Sequence, residues 1–498
     1  MNNIYYNSTR GNKMEKLPAS AAILKGIAND GGLFVPDEIP FVGNELKNCI
    51  DMNYKELASF IISKFFTDID KKELDECIDL AYDNKFDSDE IVPLKKTKKA
   101  FYLELYHGPT LAFKDMALCL LPHLMKTSAK IQNLKKQIVI LTATSGDTGK
   151  AALEGFANVE GTKIIVFFPK NGVSEIQRRQ MITQVGNNTK VIGIDGNFDD
   201  AQSEVKNIFN DATLKDQLDE NGYMFSSANS INIGRLVPQV VYYFHGYMEL
   251  VRRGEIDFGE KINFDVPTGN FGNILAAYYA RKMGLPINKL ICSSNDNKVL
   301  FDFLSTGTYD KERNFIVTIS PSMDILVSSN LERLIYDISS KNTDLVRMFM
   351  DNLNKEGKYT ITDDMKKELN LFYGGFANEE ETLDSIKHNF ENYNYLIDTH
   401  TAVADAVYEK YVKDTGDKTK TIIVSTASPF KFTKSVMRAL DEKYINYDDM
   451  ELVDIMSRVS GLKIPEAVEK LKINSIIHKT ICKKQEMKTE VIKFIMNK

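Results

Sequence analysis

Lys114 stands among apolar residues in the string HGPTLAFKD, residues 107–115, near the start of a predicted helix. A lysine that is shielded from water loses its proton more easily, and the neutral amine is the form that bonds to an aldehyde. The setting of Lys114 therefore predicts a residue that can form an imine. A lysine in such a string more often keeps its ammonium group in water, so this prediction depends on the rest of the chain.

A glycine-rich stretch follows a predicted strand and precedes a predicted helix over 274–283; it consists of Gly269, Asn270, Phe271, Gly272 and Asn273. Glycines allow close approach to the backbone, and the N–H groups at a helix start attract anions. The stretch therefore predicts an anion site, and a phosphate group fits it best. Taken alone, two glycines at this spacing more often mark a tight turn without a ligand.

A second polar loop, TATSGDTG at residues 142–149, invites comparison with a nucleotide-binding loop. The comparison fails because Thr144 replaces the first glycine of that motif and Ala151, not a serine or threonine, follows Lys150. The chain also lacks a GxGxxG string, which argues against a dinucleotide site. What remains is a group of hydroxyls and N–H groups at a helix start, suited to a carboxylate or a second phosphate.

The elements that must position these residues are short apolar runs, most of them followed by helical periodicity. Such alternation predicts an α/β fold with parallel sheets covered by helices, and ligands then lie where strands end. A third polar loop, STASP at residues 425–429, follows the last run. The predicted strands cover residues 138–141, 163–168, 191–194, 262–266, 290–292 and 421–424.

Three regions are expected along the chain. Residues 1–95, with a helix over about 16–29, contain no strand, polar loop and helix in succession and are predicted to form a separate N-terminal domain. Residues 96–440 form the core, including a polar, helix-rich elaboration over about 295–399 with turns at 305–310 and 373–378. Residues 441–498 form a helical extension, and eight lysines against two acids from position 470 onward indicate a solvated helix face, because isoleucines recur at roughly helical spacing.

Composition excludes several classes of function. The net charge of −6 provides no positive field for nucleic acid or an acidic membrane surface. No run of about 18 apolar residues is present to span a bilayer. The five cysteines include no CxxC pair, and the six histidines show no metal-ligand spacing, so we expect no disulfide framework and no metal. A cytoplasmic protein that binds small metabolites fits these facts.

Six strings, taken in order, resemble the signatures of the threonine synthase family. They are HGPTLAFKD at 107–115, TATSGDTG at 142–149, SSANSIN at 226–232, PTGNFGN at 267–273, SMD at 322–324 and HTAVA at 400–404. Residues 20–34 also resemble the leading domain of that family, so the resemblance covers most of residues 1–440. It implies the fold type II arrangement of pyridoxal-phosphate enzymes, shared with tryptophan synthase β and cysteine synthase, with an extra N-terminal domain.

The resemblance also implies how pyridoxal 5′-phosphate is held. Lys114 would form the Schiff base, and Thr426 would contact the pyridine nitrogen through its hydroxyl, a neutral partner that favours elimination and replacement. Relatives often carry histidine where this chain has Ser428, which leaves that contact open. The cofactor phosphate would be held by Gly269, Asn270, Phe271, Gly272 and Asn273.

The implied substrate contacts lie in two further strings. The residues near the substrate carboxylate and the phenolic oxygen of the cofactor would be Ser145, Gly146, Asp147 and Thr148. Asn232 and Arg235 would lie near the substrate, with Arg235 binding its phosphate and Lys150 as the second choice of cation. Arg178 and Arg179 are expected to be surface charges.

The family reaction converts O-phospho-L-homoserine and water to L-threonine and phosphate. One alternative is a pyridoxal-phosphate phospholyase that releases 2-oxobutanoate, ammonia and phosphate after the same early steps. Another is a metabolite-binding relative without turnover. The resemblance leaves a monomer and a homodimer equally open.

Overall fold

A computed structural model of the chain describes residues 3–11, 16–144, 146–170 and 173–496. The strands are β1 (Tyr6–Ser8), β2 (Phe34–Pro36), β3 (Leu94–Lys96), β4 (Phe101–Glu104), β5 (Gln137–Ala143), β6 (Thr162–Pro169), β7 (Thr189–Ile194), β8 (Tyr223–Ser226), β9 (Ile262–Pro267), β10 (Ile287–Ser294), β11 (Thr308–Asp310), β12 (Lys358–Thr360), β13 (Phe372–Phe376), β14 (Thr421–Ser425) and β15 (Ile481–Cys482).

The helices cover both sheets and form most of the N- and C-terminal regions. They are α1 (Ala19–Lys25), α2 (Tyr54–Phe65), α3 (Lys71–Ala81), α4 (Asp115–Leu118), α5 (Leu121–Ile131), α6 (Asp147–Phe156), α7 (Glu175–Ile182), α8 (Phe198–Asn210), α9 (Ala212–Glu220), α10 (Ile233–Leu236), α11 (Pro238–Arg252), α12 (Gly272–Lys282), α13 (Val299–Thr306), α14 (Leu331–Ile338), α15 (Thr343–Glu356), α16 (Asp363–Glu368), α17 (Glu379–Tyr393), α18 (Thr399–Thr415), α19 (Thr433–Leu440), α20 (Asp449–Ser460), α21 (Glu466–Ile473) and α22 (Met487–Ile495).

The larger sheet carries two of the three polar loops at its edge. Its strand order is β13-β10-β9-β14-β4-β3, and every pairing is parallel except β3 with β4. All residues of β9 and β14 are buried, as expected for strands covered by helices on both faces. The loops that follow β9 and β14 therefore meet at one end of the sheet.

The second sheet carries the remaining polar loop. Its order is β15-β7-β6-β5-β8, and all of its pairings are parallel. The loop at 142–149 connects the end of β5 to the start of α6. The predicted α/β class is confirmed, and each of the six predicted strands lies within a strand of these two sheets.

Some local predictions were wrong. The turn predicted at 373–378 is mostly the strand β13, which extends the larger sheet because its two glycines pair with Cys292 and Ser293 of β10. The turn predicted at 305–310 contains the end of α13 and the strand β11, which pairs with β12. The first helix is shorter than predicted, because it begins after Pro18 and ends at Gly26 in a positive-φ conformation.

The C-terminal region is partly built into the second sheet rather than helical throughout. Residues 481–482 add the edge strand β15, and α22 buries Met487, Val491 and Ile495 against that sheet. Ile473 and Ile481 are more than half exposed, although isoleucines at helical spacing are expected on the buried face of a helix. The isoleucines do not share one helix, since a segment without helix separates α21 from α22. In the described residues, no helix combines the length and apolarity required to cross a membrane.

Candidate active site

Lys114 lies at the meeting point of the loops, immediately before α4. Its segment is fixed to the loop after β14, because the Phe113 N–H donates to the Thr426 carbonyl at 2.8 Å and Ala112 forms a bridge with Ala427. Its Nζ donates to Ser322 Oγ at 3.3 Å and lies 3.6 Å from Asp147 Oδ2. The lysine is thus held within contact of a second loop and of the start of α6.

The environment of Lys114 favours the neutral amine. Burial lowers the pKa of Lys114 to about 8, and the positive charges of Arg235 and Lys431 act in the same direction, while Asp147 opposes them. Because the side chain is only 10% exposed, water does little to stabilise an ammonium group there. A larger fraction of this lysine is therefore unprotonated at neutral pH than of an ordinary lysine.

Asp147 is the charge centre of the site. It starts α6, where the helix dipole favours an anion. It accepts from Gln177 Nε2 at 2.8 Å and from Ser322 Oγ at 2.9 Å, and it lies 3.0 Å from Lys431 Nζ. Burial alone would raise the pKa of Asp147, but Lys431 and Lys114 hold it well below its usual range.

The glycine-rich turn lies next to the same serine. A Cβ added to Gly269 would come within 2.7 Å of the Ser322 carbonyl, so only glycine fits there. Phe271 adopts a left-handed conformation at φ 62° as the turn enters α12, and its ring is buried. Asn270 is exposed, and its carbonyl accepts from the backbone and side chain of Asn330. Ser322 therefore connects this turn to Lys114.

Asn273 presents a free donor inside the protein. Its Oδ1 accepts from the hydroxyls of Tyr242 and Tyr243, which fixes the orientation of the amide. Its Nδ2 is buried and has no hydrogen-bond partner among the described residues. A buried amide donor without a partner is costly, which indicates a place for an acceptor from a bound group.

The loop after β14 places Thr426 beside the lysine segment. The Thr426 N–H donates to Thr401 Oγ1 at 3.3 Å, and Thr401 in turn donates to Asp398, the N-cap of α18. In the described part of the chain the Thr426 hydroxyl has no hydrogen bond, although the residue is buried. Ser428 caps the 3₁₀ turn Pro429–Phe432 by accepting from Phe430 N–H.

Arg235 is a buried cation without a carboxylate partner among the described residues. Its Nη1 donates to the Ala228 carbonyl at 3.1 Å, and its Nε has no partner there. Burial lowers the pKa of Arg235 to about 10. Since an unpaired buried charge is strongly unfavourable, the guanidinium is suited to an anionic ligand.

Asn232 has its side-chain hydrogen bonds satisfied within the protein. Its Nδ2 donates to the carbonyls of Ile23 and Ser227, and its Oδ1 accepts from Gly234 N–H. Both donor hydrogens are thus used, and the side chain is fully buried at the start of α10. The Asn232 side chain therefore has no unused donor for a ligand, and its contact with a substrate stays a prediction.

The loop after β5 offers backbone donors. Thr144 Oγ1 accepts from the N–H groups of Gly146 and Gly149, each at 2.9 Å. Asp147 and Thr148 begin α6, so their N–H groups have no acceptor within the helix and no other described acceptor contacts them. These two donors suit a carboxylate. Ser145 lies outside the described residues.

The remaining candidate cations point elsewhere. Lys150 pairs with Glu154 at 2.8 Å and contacts Gln184, so it is not a second cation for a substrate phosphate. Arg178 and Arg179 are both partly exposed and pair with Glu175, which confirms that they are surface charges.

Three residues of the site received no role from the sequence. Ser322 and His400 stand in two of the resembling strings, and the backbone N–H of Ser322 donates to His400 Nε2 at 3.1 Å. The other ring nitrogen of His400 lies 2.8 Å from Asp398 Oδ2. Lys431 stands two residues after the third polar loop, and that position was the only available signal for it.

Known families match the chain over most of its length. The matching models are Threonine synthase N terminus at residues 5–82, Pyridoxal-phosphate dependent enzyme at residues 90–350 and Threonine synthase, C-terminal at residues 401–477. A threonine synthase of Pseudomonas aeruginosa is 38% identical over 442 residues, which cover 87% of this chain and 90% of that protein. The chain belongs to the threonine synthase family.

Other members of the threonine synthase family have sequence identities to this chain in the same range. Threonine synthase-like 1 of Macaca fascicularis is 41% identical over 441 residues, which cover 86% of this chain but only 58% of that longer protein. The crystal structure of pyridoxal-phosphate-bound threonine synthase from Brucella melitensis superimposes with a TM-score of 0.86 at 34% identity and covers 99% of both chains. The expected fold type II architecture is thereby confirmed.

The cofactor of the threonine synthase family is pyridoxal 5′-phosphate, as expected from the resemblance. The residues present here fit that group. Lys114 is a buried amine with a lowered pKa, and Asn273 Nδ2 and Arg235 Nε are buried donors that lack partners in the described part of the chain. The turn at Gly269 has no room for a side chain. This combination is typical of a site completed by an anionic ligand.

Proposed function

We propose that this chain is a threonine synthase, which converts O-phospho-L-homoserine and water to L-threonine and phosphate. One observation carries the proposal: the site contains both a buried amine, Lys114, and a buried guanidinium, Arg235. Among the described residues, that guanidinium has no carboxylate partner. The amine suits the cofactor, and the guanidinium suits a substrate that carries a phosphate ester. Family membership supports both assignments.

The cofactor-binding residues are assigned on the basis of this geometry. Lys114 would hold the cofactor covalently through Nζ, and Thr426 would contact its ring nitrogen through the free hydroxyl. Backbone N–H groups of the turn at 269–273, together with the Asn273 amide, would hold the phosphate. Exposed Asn270 contributes through its backbone only. When bound, the cofactor supplies an electron sink for negative charge that develops next to the substrate amine.

Lys114 is the proton-transfer residue in this proposal. With a substrate bound, the free amine of Lys114 would lie in a buried site where its lowered pKa keeps it partly neutral. It can then accept protons from Cα and Cβ of the substrate and, after phosphate has left Cγ, return protons at Cγ and Cα, while water supplies the hydroxyl at Cβ. The Ser322 hydroxyl, 3.3 Å from Nζ, restricts the positions that the amine adopts.

The two ends of the substrate are assigned to different elements. The N–H groups of Asp147 and Thr148 would bind the carboxylate at the start of α6, and Gly146 and Ser145 would shape the loop beside it. Arg235 at α10 would bind the phosphate, which leaves from Cγ, through charge-assisted hydrogen bonds. The substrate would therefore be held at both ends, and Lys114 would act between them.

Location and assembly form part of the proposal as well. The cysteines are all buried thiols without disulfide bonds, which suits the reducing cytoplasm. A monomer and a homodimer both remain compatible with the proposed site, because Lys114, Asp147 and Arg235 come from one chain.

Product analysis tests the proposed reaction. The purified chain with pyridoxal 5′-phosphate is incubated with O-phospho-L-homoserine, and amino acids, keto acids and phosphate are quantified, with Lys114→Ala as the control. We expect threonine and phosphate in equal amounts from the wild type and neither product from Lys114→Ala. Formation of 2-oxobutanoate and ammonia instead would identify a phospholyase. Cofactor binding without turnover of this substrate would identify a non-catalytic relative.

A further inference from the structure

One carboxylate lies between two lysines in the buried site. Lys431 is fully buried, and its Nζ lies 3.0 Å from Asp147 Oδ1 and donates to the Thr110 carbonyl at 2.7 Å. Lys114 Nζ lies 3.6 Å from the other oxygen of Asp147, and its one hydrogen bond to described residues is the 3.3 Å contact with Ser322 Oγ. The two lysines therefore compete for the same negative charge, and Lys431 has the shorter contact with it.

A single carboxylate neutralises one ammonium group but not two. Within a buried cluster, like charges disfavour each other, and the group with fewer acceptors gives up its proton. Lys431 has the shorter ion pair and a carbonyl acceptor, whereas Lys114 has the longer ion pair and a hydroxyl. The geometry thus favours an ion pair of Asp147 with Lys431 over one with Lys114.

We propose that Lys431 is a positioning residue of the site: it holds Asp147 in a fixed ion pair, so that Lys114 lacks a full counter-charge and serves as the nucleophilic amine. The role concerns the reaction of Lys114 with an aldehyde and thus depends on the cofactor, not on the identity of the substrate. In this arrangement Asp147 contributes its N–H group to ligand binding and its carboxylate to charge control.

Three further charged or titratable groups lie near Lys114. Arg235, from α10, also disfavours a positive charge on Lys114. His400, from α18, accepts from the Ser322 backbone rather than contacting the lysine. Asp115, the next residue in the chain, accepts from the N–H and hydroxyl of Thr110; burial raises its pKa to about 6, and the charge of Lys431 acts in the opposite direction.

Two substitutions should move the titration of Lys114 in opposite directions. In Lys431→Met, the repelling cation is lost and Asp147 is left to Lys114 alone, so the ammonium form is stabilised and the pKa of Lys114 rises. In Asp147→Asn, the attracting anion is lost while the repelling cation stays, so the pKa of Lys114 falls. Shifts of about 1–3 pH units are typical for neighbours at such distances.

The measurement uses the full chain freed of cofactor, without substrate. A lysine-acylating reagent is applied across a pH series, and peptide mass spectrometry gives the midpoint for modification of Lys114. Lys431→Arg should restore a midpoint close to the wild-type value, because it retains the positive charge. Lys99→Met is the matched control, since it removes a buried lysine that pairs with Asp405 and Glu409 outside this cluster.

The outcomes separate this role from a structural one. Opposite shifts for the two variants, with rescue by arginine and no shift in Lys99→Met, support the proposal. Equal midpoints in wild type and Lys431→Met, or shifts in the same direction, overturn it. If Lys431→Met does not fold, the downward shift in Asp147→Asn remains a test, and its absence overturns the proposal. None of these results depends on whether threonine is the product.

Discussion

Two residues of this site keep buried polar groups without hydrogen-bond partners among the described residues, which packing alone does not favour. Arg235 keeps a buried guanidinium with one carbonyl acceptor and an unpaired Nε in the described part of the chain. Asn273 keeps a buried amide donor unpaired while two tyrosines fix its oxygen. Such groups cost folding free energy, and they persist where a ligand supplies the missing partner. Arg235 acts on the charge of Lys114, and Asn273 belongs to the turn that meets Ser322, the hydrogen-bond partner of Lys114; these two facts are the physical reason for assigning the site.

Replacing Arg235 by methionine should weaken the binding of the substrate without preventing the binding of the cofactor. A hydrogen bond to a charged group contributes roughly 1.5–3 kcal/mol, so we expect KM for O-phospho-L-homoserine to rise about 10- to 150-fold. Inhibition by inorganic phosphate should weaken in parallel, while the visible absorption of the bound cofactor stays. Arg178→Met, which removes a surface arginine of α7, serves as the control. An unchanged KM for Arg235→Met would remove this residue from the proposed phosphate site.

At the level of helices and strands, the sequence predicted the strands and the polar loops that follow them. It did not predict which of these loops lie close together. The loops after β5, β9 and β14, the second of which contains the glycine-rich turn, were all visible as short polar strings after apolar runs. The missed strand β13 carries adjacent glycines, which are typical of turns, and only its pairing with β10 makes it a strand. Ser322 was visible in a string, yet its contacts with Lys114 and Asp147 cross more than 170 residues of sequence.

Gly269→Ala tests the close approach between two of these elements. The added Cβ would meet the Ser322 carbonyl at 2.7 Å, so the turn or the serine segment must shift. Overpacking of this kind costs roughly 1–3 kcal/mol, so we expect the Kd for pyridoxal 5′-phosphate to rise about 5- to 150-fold. Gly193→Ala, whose added Cβ would make only an ordinary 3.4 Å contact in the other sheet, is the control. Equal cofactor affinity in both variants would contradict the proposed cradle.

On the scale of the whole molecule, a buried arginine connects regions that are distant in sequence. Arg333 of α14 donates to the Phe34 carbonyl at 3.0 Å, to the Ile231 carbonyl at 2.5 Å and to the Asn330 side chain. Asn330 holds the glycine-rich turn, so Arg333 links that turn to β2 and to the segment before Arg235. The N-terminal region therefore supports the site even though it supplies none of the residues assigned to it.

The overall class could be predicted from sequence because periodicity and loop composition are local properties. Fold type II and the cofactor came from six ordered strings, and the comparisons confirm both. The role of Lys431 could not be predicted, because neither spacing nor composition reports that its side chain reaches Thr110 and Asp147. The domain boundaries at 95 and 440 stay a prediction.

The central claim is that the amine of Lys114 carries the cofactor, and one measurement tests it directly. The purified protein with pyridoxal 5′-phosphate is reduced with borohydride and digested, and mass spectrometry locates the phosphopyridoxyl group. We expect a single modified peptide with the group on Lys114, together with loss of a visible band at about 410–430 nm that is absent in Lys114→Ala. Modification of Lys431 instead, or of no lysine, would contradict it.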